Sequence, residues 1–374
     1  MFAVTLRTVL GGPSAAAPRV PRAHLAMESY AASFPDGYDM NYFPEDARTF
    51  KGAAAAASAS STTVAPEKEG ELNELLGSFD FDKSTDEEVM RIEAVVFKNL
   101  REEASELSSS WLTQGLVHQS VLTHDTLPEA LAALLSGKLR TNLYGELQYS
   151  SAGGSRVASA TAEEALRSTM CRVLSEAAVR RAVVSDLLKV LVVDPAAEAV
   201  LQPFLFFKGF HALATHRVAH SLWLDGSAAS QGAALMLQSR CAELFALDIH
   251  PAARIGNGVM FDHATGIVIG STAIVGSDVY MLHGVTLGAT GKPTGGRKRH
   301  PTVGSRVILG AGSTVLGDIT VGDGCTVGAA AIVTRDVPDG STVVGVNKVV
   351  ERRDASEEKI KEDGGDEYTW FWSV

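Results

Sequence analysis

Basic residues are scarce in this chain: 33 Lys and Arg against 44 Asp and Glu leave a formal net charge of −11 over 374 residues. A nucleic-acid backbone needs a basic face, so broad nucleic-acid binding is excluded and any anion site must be local. Cysteine is nearly absent. Cys171, Cys241 and Cys325 lie far apart, which gives neither a disulfide framework nor a thiolate zinc cluster and fits a reducing compartment. No uninterrupted apolar run approaches the ~20 residues of a membrane helix, so no membrane span is expected.

What is present divides the chain into five stretches. Residues 1–27 carry Arg7, Arg19 and Arg22 among Ala, Ser and Thr, with no acid before Glu28, the composition of an organelle transit peptide. The small-residue character favours plastid stroma over mitochondrion; a plain N-terminal extension on a cytosolic protein would have a similar composition. Residues 28–85 read as a disordered linker, with the tract Ala53 to Ala57 and a Ser/Thr cluster. Residues 86–246 read as an all-α domain. Asp86, Glu87 and Glu88 precede Val89, Ile92, Val95, Val96 and Leu100 at helical spacing, and similar patterns follow at Leu131 to Leu135 and Leu166 to Leu174. The pattern fades between Tyr144 and Ala160, where a loop is expected. Val179 to Val193 predicts a buried helix stopped at Asp194-Pro195, because the residue before proline is driven from helical geometry. A last helical stretch is expected from Phe204 to about Leu244.

Over residues 247–346 the period changes to six. Ile249, Ile255, Phe261 and Ile267 are followed, after a slip of two, by Ile269, Val275, Met281 and Leu287, then by Val303, Leu309, Val315, Val321, Val327 and Val333. Glycine often comes next, as at 256, 270, 276 and 304. A six-residue repeat is neither helical nor a two-residue alternation; it marks a parallel β-helix, three repeats to a triangular coil, with aliphatic residues stacked inward. Residues 347–374 form an acidic tail ending in Trp370, Phe371, Trp372, Ser373 and Val374.

Four segments are near-verbatim matches to one family: Phe207-Lys208-Gly209-Phe210-His211-Ala212-Leu213, Asp248-Ile249-His250-Pro251-Ala252-Ala253, Asp262-His263-Ala264-Thr265-Gly266-Ile267, and Val285-Thr286-Leu287-Gly288-Ala289-Thr290-Gly291-Lys292. From about Val96 to Val346 the chain resembles the serine acetyltransferases. The resemblance implies an N-terminal all-α domain followed by a left-handed parallel β-helix, and transfer of acetyl from acetyl-CoA to the hydroxyl of L-serine. It implies a homotrimer or a dimer of trimers, feedback inhibition by L-cysteine, and a C-terminal tail that docks on O-acetylserine sulfhydrylase. No metal and no resident cofactor are expected, since acetyl-CoA is a co-substrate.

A serine hydroxyl is a weak nucleophile near neutral pH, so attack on a thioester calls for a positioned base. By resemblance that base is His263, with Asp248 as its orienting carboxylate. Asp248 lies 15 residues earlier, close to one 18-residue coil, so the two are expected on adjacent coils about 5 Å apart. The zwitterionic substrate needs opposite charges at its two ends. The family positions fall on Asp194 and Asp262 for the ammonium and on Arg299 and His300 for the carboxylate. The basic segment from Lys292 to Arg299, beside Gly288, Ala289, Thr290 and Gly291, suits the phosphates of acetyl-CoA, with Gly310, Ala311, Ala329 and Ala330 offering close approach to the backbone. That segment is two residues longer than the family usually has, Ser271 stands where glutamate is common, and Val374 replaces a terminal isoleucine, which predicts a weaker hold on the sulfhydrylase. His283 follows His263 by 20 residues, so the two histidines are expected to stack. The γ-class carbonic anhydrases share the β-helix and bind zinc through histidines, but they need a close histidine pair that the sequence lacks. The helical domain and the segment from Asp262 to Gly266 argue against a hexapeptide acetyltransferase acting on sugars. Asp248, His263 and the basic segment together argue against a non-enzymatic scaffold.

Overall fold

The computed structural model describes residue 72 and residues 83–140, 162–291 and 298–350. The leader, most of the linker, the loop expected around 144–160, Lys292 and the tail after 350 lie outside the described residues.

The helical domain starts where the acidic turn predicts. Helix α1 (Asp86–Leu107) is opened by a capping box in which Thr85 Oγ1 accepts from the Glu88 amide at 3.2 Å and Glu88 accepts from the Thr85 amide at 2.6 Å. Its face of Val89, Ile92, Val96 and Leu100 is buried. There follow α2 (Gln114–Val117) with a π-helical turn (His118–Leu122), α3 (Leu127–Leu139), α4 (Ala162–Leu174) and α5 (Ala177–Val193). Asp194 ends α5 as expected, with extended backbone geometry ahead of Pro195. The single stretch expected from Phe204 to Leu244 is instead three helices: α6 (Leu201–Phe206), α7 (Lys208–Asp225) and α8 (Ala228–Phe245). The break between α7 and α8 falls at Gly226, whose φ of +78° ends one helix, and Ser227 caps the next by accepting from Ser230 N.

The β-helix then winds coil by coil. The first coil holds β1 (Asp248–Ile249), β2 (Arg254–Ile255) and β3 (Met260–Phe261); the second holds β4 (Val268–Ile269), β5 (Ile274–Val275) and β6 (Tyr280–Met281). The third holds β7 (Thr286–Gly288), β8 (Thr302–Val303) and β9 (Ile308–Leu309), and the fourth β10 (Thr314–Leu316), β11 (Thr320–Val321) and β12 (Thr326–Val327). Strands β13 (Ile332–Val333), β14 (Thr342–Val344) and β15 (Lys348–Val350) finish the stack. Equivalent strands pair in parallel to make three sheets, the first containing β1, β4, β7, β10 and β13, the second β2, β5, β8 and β11, and the third β3, β6, β9, β12, β14 and β15. The hexad residues are the register partners: Ile249, Ile269, Leu287, Val315 and Val333 form one inward column, and Phe261, Met281, Leu309 and Val327 another. Strand β15 returns antiparallel on β14, so the fold runs to Val350 rather than stopping at 346.

Ile267 is the exception to the repeat. It is buried at a corner and not in a strand; Ile269 takes the strand position. The slip therefore lodges two extra residues in the corner between β3 and β4, which contains His263. Helices α5 and α7 pack against β3 and α8 against β1, so the helical domain closes over the start of the prism beside that corner.

Candidate active site

The expanded corner is held in an unusual backbone conformation. His263 and Ala264 have φ of +54° and +57°, and Gly266 follows at +79°. Two consecutive left-handed non-glycine residues cost roughly 1–2 kcal/mol each. The fold opposes this with bonds from outside the corner. Gly266 N donates to Ala246 O at 2.6 Å and Gly284 N to Thr265 O at 2.8 Å. From α7, the Lys208 ammonium donates to Thr265 Oγ1. The neighbouring Gly209 lies so close to the backbone of Phe261 that a Cβ there would overlap the Phe261 carbonyl. The Lys208-Gly209 pair of the first near-verbatim segment is thus the grip of the helical domain on the His263 corner.

The result is a projecting imidazole. The His263 side chain is 67% exposed, and its Nε2 stands 3.7 Å from Asp262 Oδ1. Asp262 Oδ2 accepts from the Tyr280 hydroxyl at 2.6 Å, which fixes the carboxylate. Asp194 reaches the same place from the end of α5. Its Oδ1 accepts from the Ala196 amide at 2.8 Å, and burial, reinforced by the Asp262 charge, pushes its carboxyl up from the usual range, while His263 opposes the shift. Among the described residues no lysine or arginine forms an ion pair with Asp194 or Asp262. Two carboxylates beside an imidazole, with Asp194 held toward its protonated form by burial and the Asp262 charge, make a site complementary to an ammonium group.

The coil that starts at Asp248 is longer than its spacing assumed. The register partner of Asp248 on the next coil is Val268, since this coil is twenty residues long, and Asp248 Oδ1 accepts from Gln238 Nε2 of α8 at 2.6 Å. The Asp262 carboxylate approaches the His263 imidazole. His283 stacks as expected, its ring 6.0 Å from that of His263 in an edge-on arrangement. Among the described residues no group of three or more His, Cys, Asp or Glu is placed to hold a metal ion.

Arg299 and His300 occupy a different corner, between the first and second sheets. Thr272, which carries no signal in the sequence, organises them: its Oγ1 accepts from the amides of Arg299 at 3.0 Å and His300 at 3.1 Å, and its own amide donates to His300 Nδ1 at 3.1 Å. That bond leaves the His300 proton on Nε2. Burial, then the Arg299 charge, lowers the affinity of His300 for a second proton, so it is held neutral. Arg299 is exposed. Of the basic segment, Lys298 is already engaged with Asp318 at 2.8 Å, which removes one cation from those available to a phosphate. Ala289, Thr290 and Gly291 border this corner. Gly288 is in β7 against the Leu316 side chain. Gly310, Ala311, Ala329 and Ala330 instead line the corner between the third and first sheets, above His263 and His283. Gly310 has a structural reason of its own, because a Cβ there would lie 2.5 Å from the Ala329 amide.

The chain therefore carries Asp194, Asp262 and His263 on one corner and Arg299 on the next. Each face of the prism spans about five residues at ~3.3 Å, so the corners are roughly 16 Å apart.

A family model for the serine acetyltransferase N-terminal region matches residues 96–215, and one for the bacterial transferase hexapeptide (six repeats) matches 300–335. The chain is 42% identical over 265 residues to probable serine acetyltransferase 4 of Oryza sativa subsp. japonica, covering 70% of this chain and 78% of that one. The soybean serine acetyltransferase complexed with serine superposes with a TM-score of 0.62 at 38% identity, covering 69% of this chain and 98% of the other. The chain belongs to the serine acetyltransferase family. Serine acetyltransferase structures complexed with cysteine and with CoA match over 69% of this chain and 100% of theirs at 36% identity, with TM-scores of 0.61 and 0.60. Plant serine acetyltransferases similar to the chain include one named chloroplastic and one named mitochondrial, both of Arabidopsis thaliana.

Proposed function

We propose that the chain transfers acetyl from acetyl-CoA to the hydroxyl of L-serine, giving O-acetyl-L-serine and CoA, with His263 as general base. The observation that carries the reading is the two-residue expansion of a single corner, which breaks the repeat only to project one imidazole beside two carboxylates. The serine ammonium sits between Asp194 and Asp262, which places its hydroxyl at His263 Nε2. As Oγ attacks the thioester carbonyl, its proton passes to the imidazole, and the resulting imidazolium is stabilised by Asp262. Collapse of the tetrahedral intermediate breaks the C–S bond, and the proton goes on to the CoA sulfur. Asp248, anchored by Gln238, braces the strand that follows the expanded corner.

Arg299, with His300 at its side, receives the serine carboxylate, and Lys292 with Gly288, Ala289, Thr290 and Gly291 contributes to the acetyl-CoA groove. The separation of the two corners within one chain supports a trimer in which the cationic corner of one subunit meets the His263 corner of its neighbour. Relatives solved with serine, with cysteine and with CoA support a shared amino-acid pocket, where L-cysteine competes with L-serine. The leader at 1–27 directs the chain to plastids. Acetyl transfer to L-serine by wild type and His263→Ala tests the reading. Turnover should fall by ~10²–10⁴-fold with the KM for acetyl-CoA retained, and equal turnover in the two proteins would falsify it.

A further inference from the structure

Helix α5, which ends in Asp194, is fastened to the β-helix by buried charge. Asp186 is 1% exposed; it accepts from Arg217 Nε at 3.1 Å, from Arg217 Nη2 at 3.0 Å and from the Val259 amide at 2.9 Å. Arg217 also donates to the carbonyls of Ile255 and Gly256, so one guanidinium ties α7, α5 and the first coil together. Nearly one turn along α5, Lys189 is fully buried and donates through Nζ to Asp278, a corner residue of the second coil with φ of +58°.

Both attachments lead directly to the catalytic corner. Val259 opens the run through β3 to Asp262. Asp278 stands two residues before Tyr280, whose hydroxyl holds the Asp262 carboxylate. Asp194 follows Asp186 by eight residues, about 12 Å along the helix axis. It forms no hydrogen bond to the β-helix among the described residues; its carboxylate accepts locally from Ala196. Where Asp194 stands relative to Asp262 and His263 is therefore set by how α5 lies on the coils.

Apolar neighbours such as Val183, Leu187 and Val190 make α5 stick to its surroundings without fixing its rotation. A buried ion pair adds little net stability over an apolar pair of the same volume, but it is directional and specifies one register. We propose that Lys189 and Asp278 are positioning residues for amino-acid recognition, setting the rotation of α5 so that Asp194 faces Asp262 across the substrate ammonium. This inference rests on the serine acetyltransferase reading of that site.

The test compares full-length wild type, Lys189→Met and the double variant Lys189→Met/Asp278→Asn, which leaves no buried charge unpaired and keeps a residue that tolerates a left-handed backbone. The KM for L-serine should rise ~10-fold in both variants while kcat and the KM for acetyl-CoA stay within about twofold of wild type. If the single variant does not fold, the double variant carries the test. A folded double variant with the wild-type KM for L-serine overturns the proposal. So does a fall in kcat at unchanged KM, and so does failure of both variants to fold, since the pair would then serve stability alone. Wild type unable to acetylate L-serine would instead remove the reading of the site, and the same assay shows it.

Discussion

At the scale of single residues, the site depends on positions whose importance comes from what they leave out. Gly209 is the clearest. It lies in α7, where alanine is intrinsically favoured over glycine by about 1 kcal/mol, so helix propensity alone predicts that Gly209→Ala stabilises. The Phe261 carbonyl occupies the space that the new methyl would need, and backbone cannot swing aside as a side chain can. Overpacking of this kind costs ~1–3 kcal/mol or more and moves Phe261, the residue before Asp262. Gly209→Ala is therefore expected to lower the melting temperature and to reduce kcat/KM for L-serine at least ~10-fold, measured by thermal unfolding and steady-state kinetics on the same preparation. A more stable and fully active variant would show that the contact yields. The motif around Gly209 was legible in the sequence as a resemblance, but its reason was not. Nothing local to residues 207–213 reveals that their packing partner lies some fifty residues downstream. The same holds for Thr272 and Tyr280, ordinary residues by type that matter because coil stacking brings them to His300 and Asp262.

At the scale of elements, the six-residue period made the coils legible because each inward column repeats the same physical demand for a β-branched or aliphatic side chain. The individual strands are two or three residues long and carry no signal of their own. The uniform 18-residue coil assumed between Asp248 and His263 does not hold for a related reason: Asp248 pairs with Val268 because the corner after β3 holds two additional residues. The slip between Ile267 and Ile269 was visible in the sequence, and what it marks is the expanded corner that carries His263. Later turns from the third sheet to the first, Met281 to Leu287 and Leu309 to Val315, keep the plain spacing of six. Deleting Ala264 and Thr265 should therefore restore the regular repeat, remove one of the two strained left-handed residues and preserve the stacked columns. Such a protein is expected to retain the circular dichroism spectrum of wild type and a cooperative melt while losing acetyl transfer by at least ~10²-fold, as His263 no longer projects beside Asp262. Activity near wild type in the shortened corner would mean that the expansion does not create the catalytic geometry.

At the scale of the whole molecule, a charged substrate must be met at both ends, and a single prism presents the two kinds of charge on different edges. Asp194, Asp262 and His263 stand on the edge between the third and first sheets, Arg299 and His300 on the edge between the first and second. A rigid β-helix cannot fold one edge onto the other, so in the proposed reaction the gap of roughly 16 Å is closed by a second copy. In a ring of three, every subunit gives its base to one site and its cation to the next. Two inactive proteins should then repair each other. His263→Ala subunits still carry the cationic edge, and Arg299→Ala subunits still carry the base. When equal amounts are unfolded, mixed and refolded together, a site is intact only where an Arg299→Ala subunit supplies the base and a His263→Ala subunit supplies the cation. Random assembly gives that order at about one interface in four, so activity should recover to roughly a quarter of wild type while each variant refolded alone stays inactive. A mixture no more active than its components would place both charges of a working site on one chain, and the edge-to-edge arrangement would have to be abandoned.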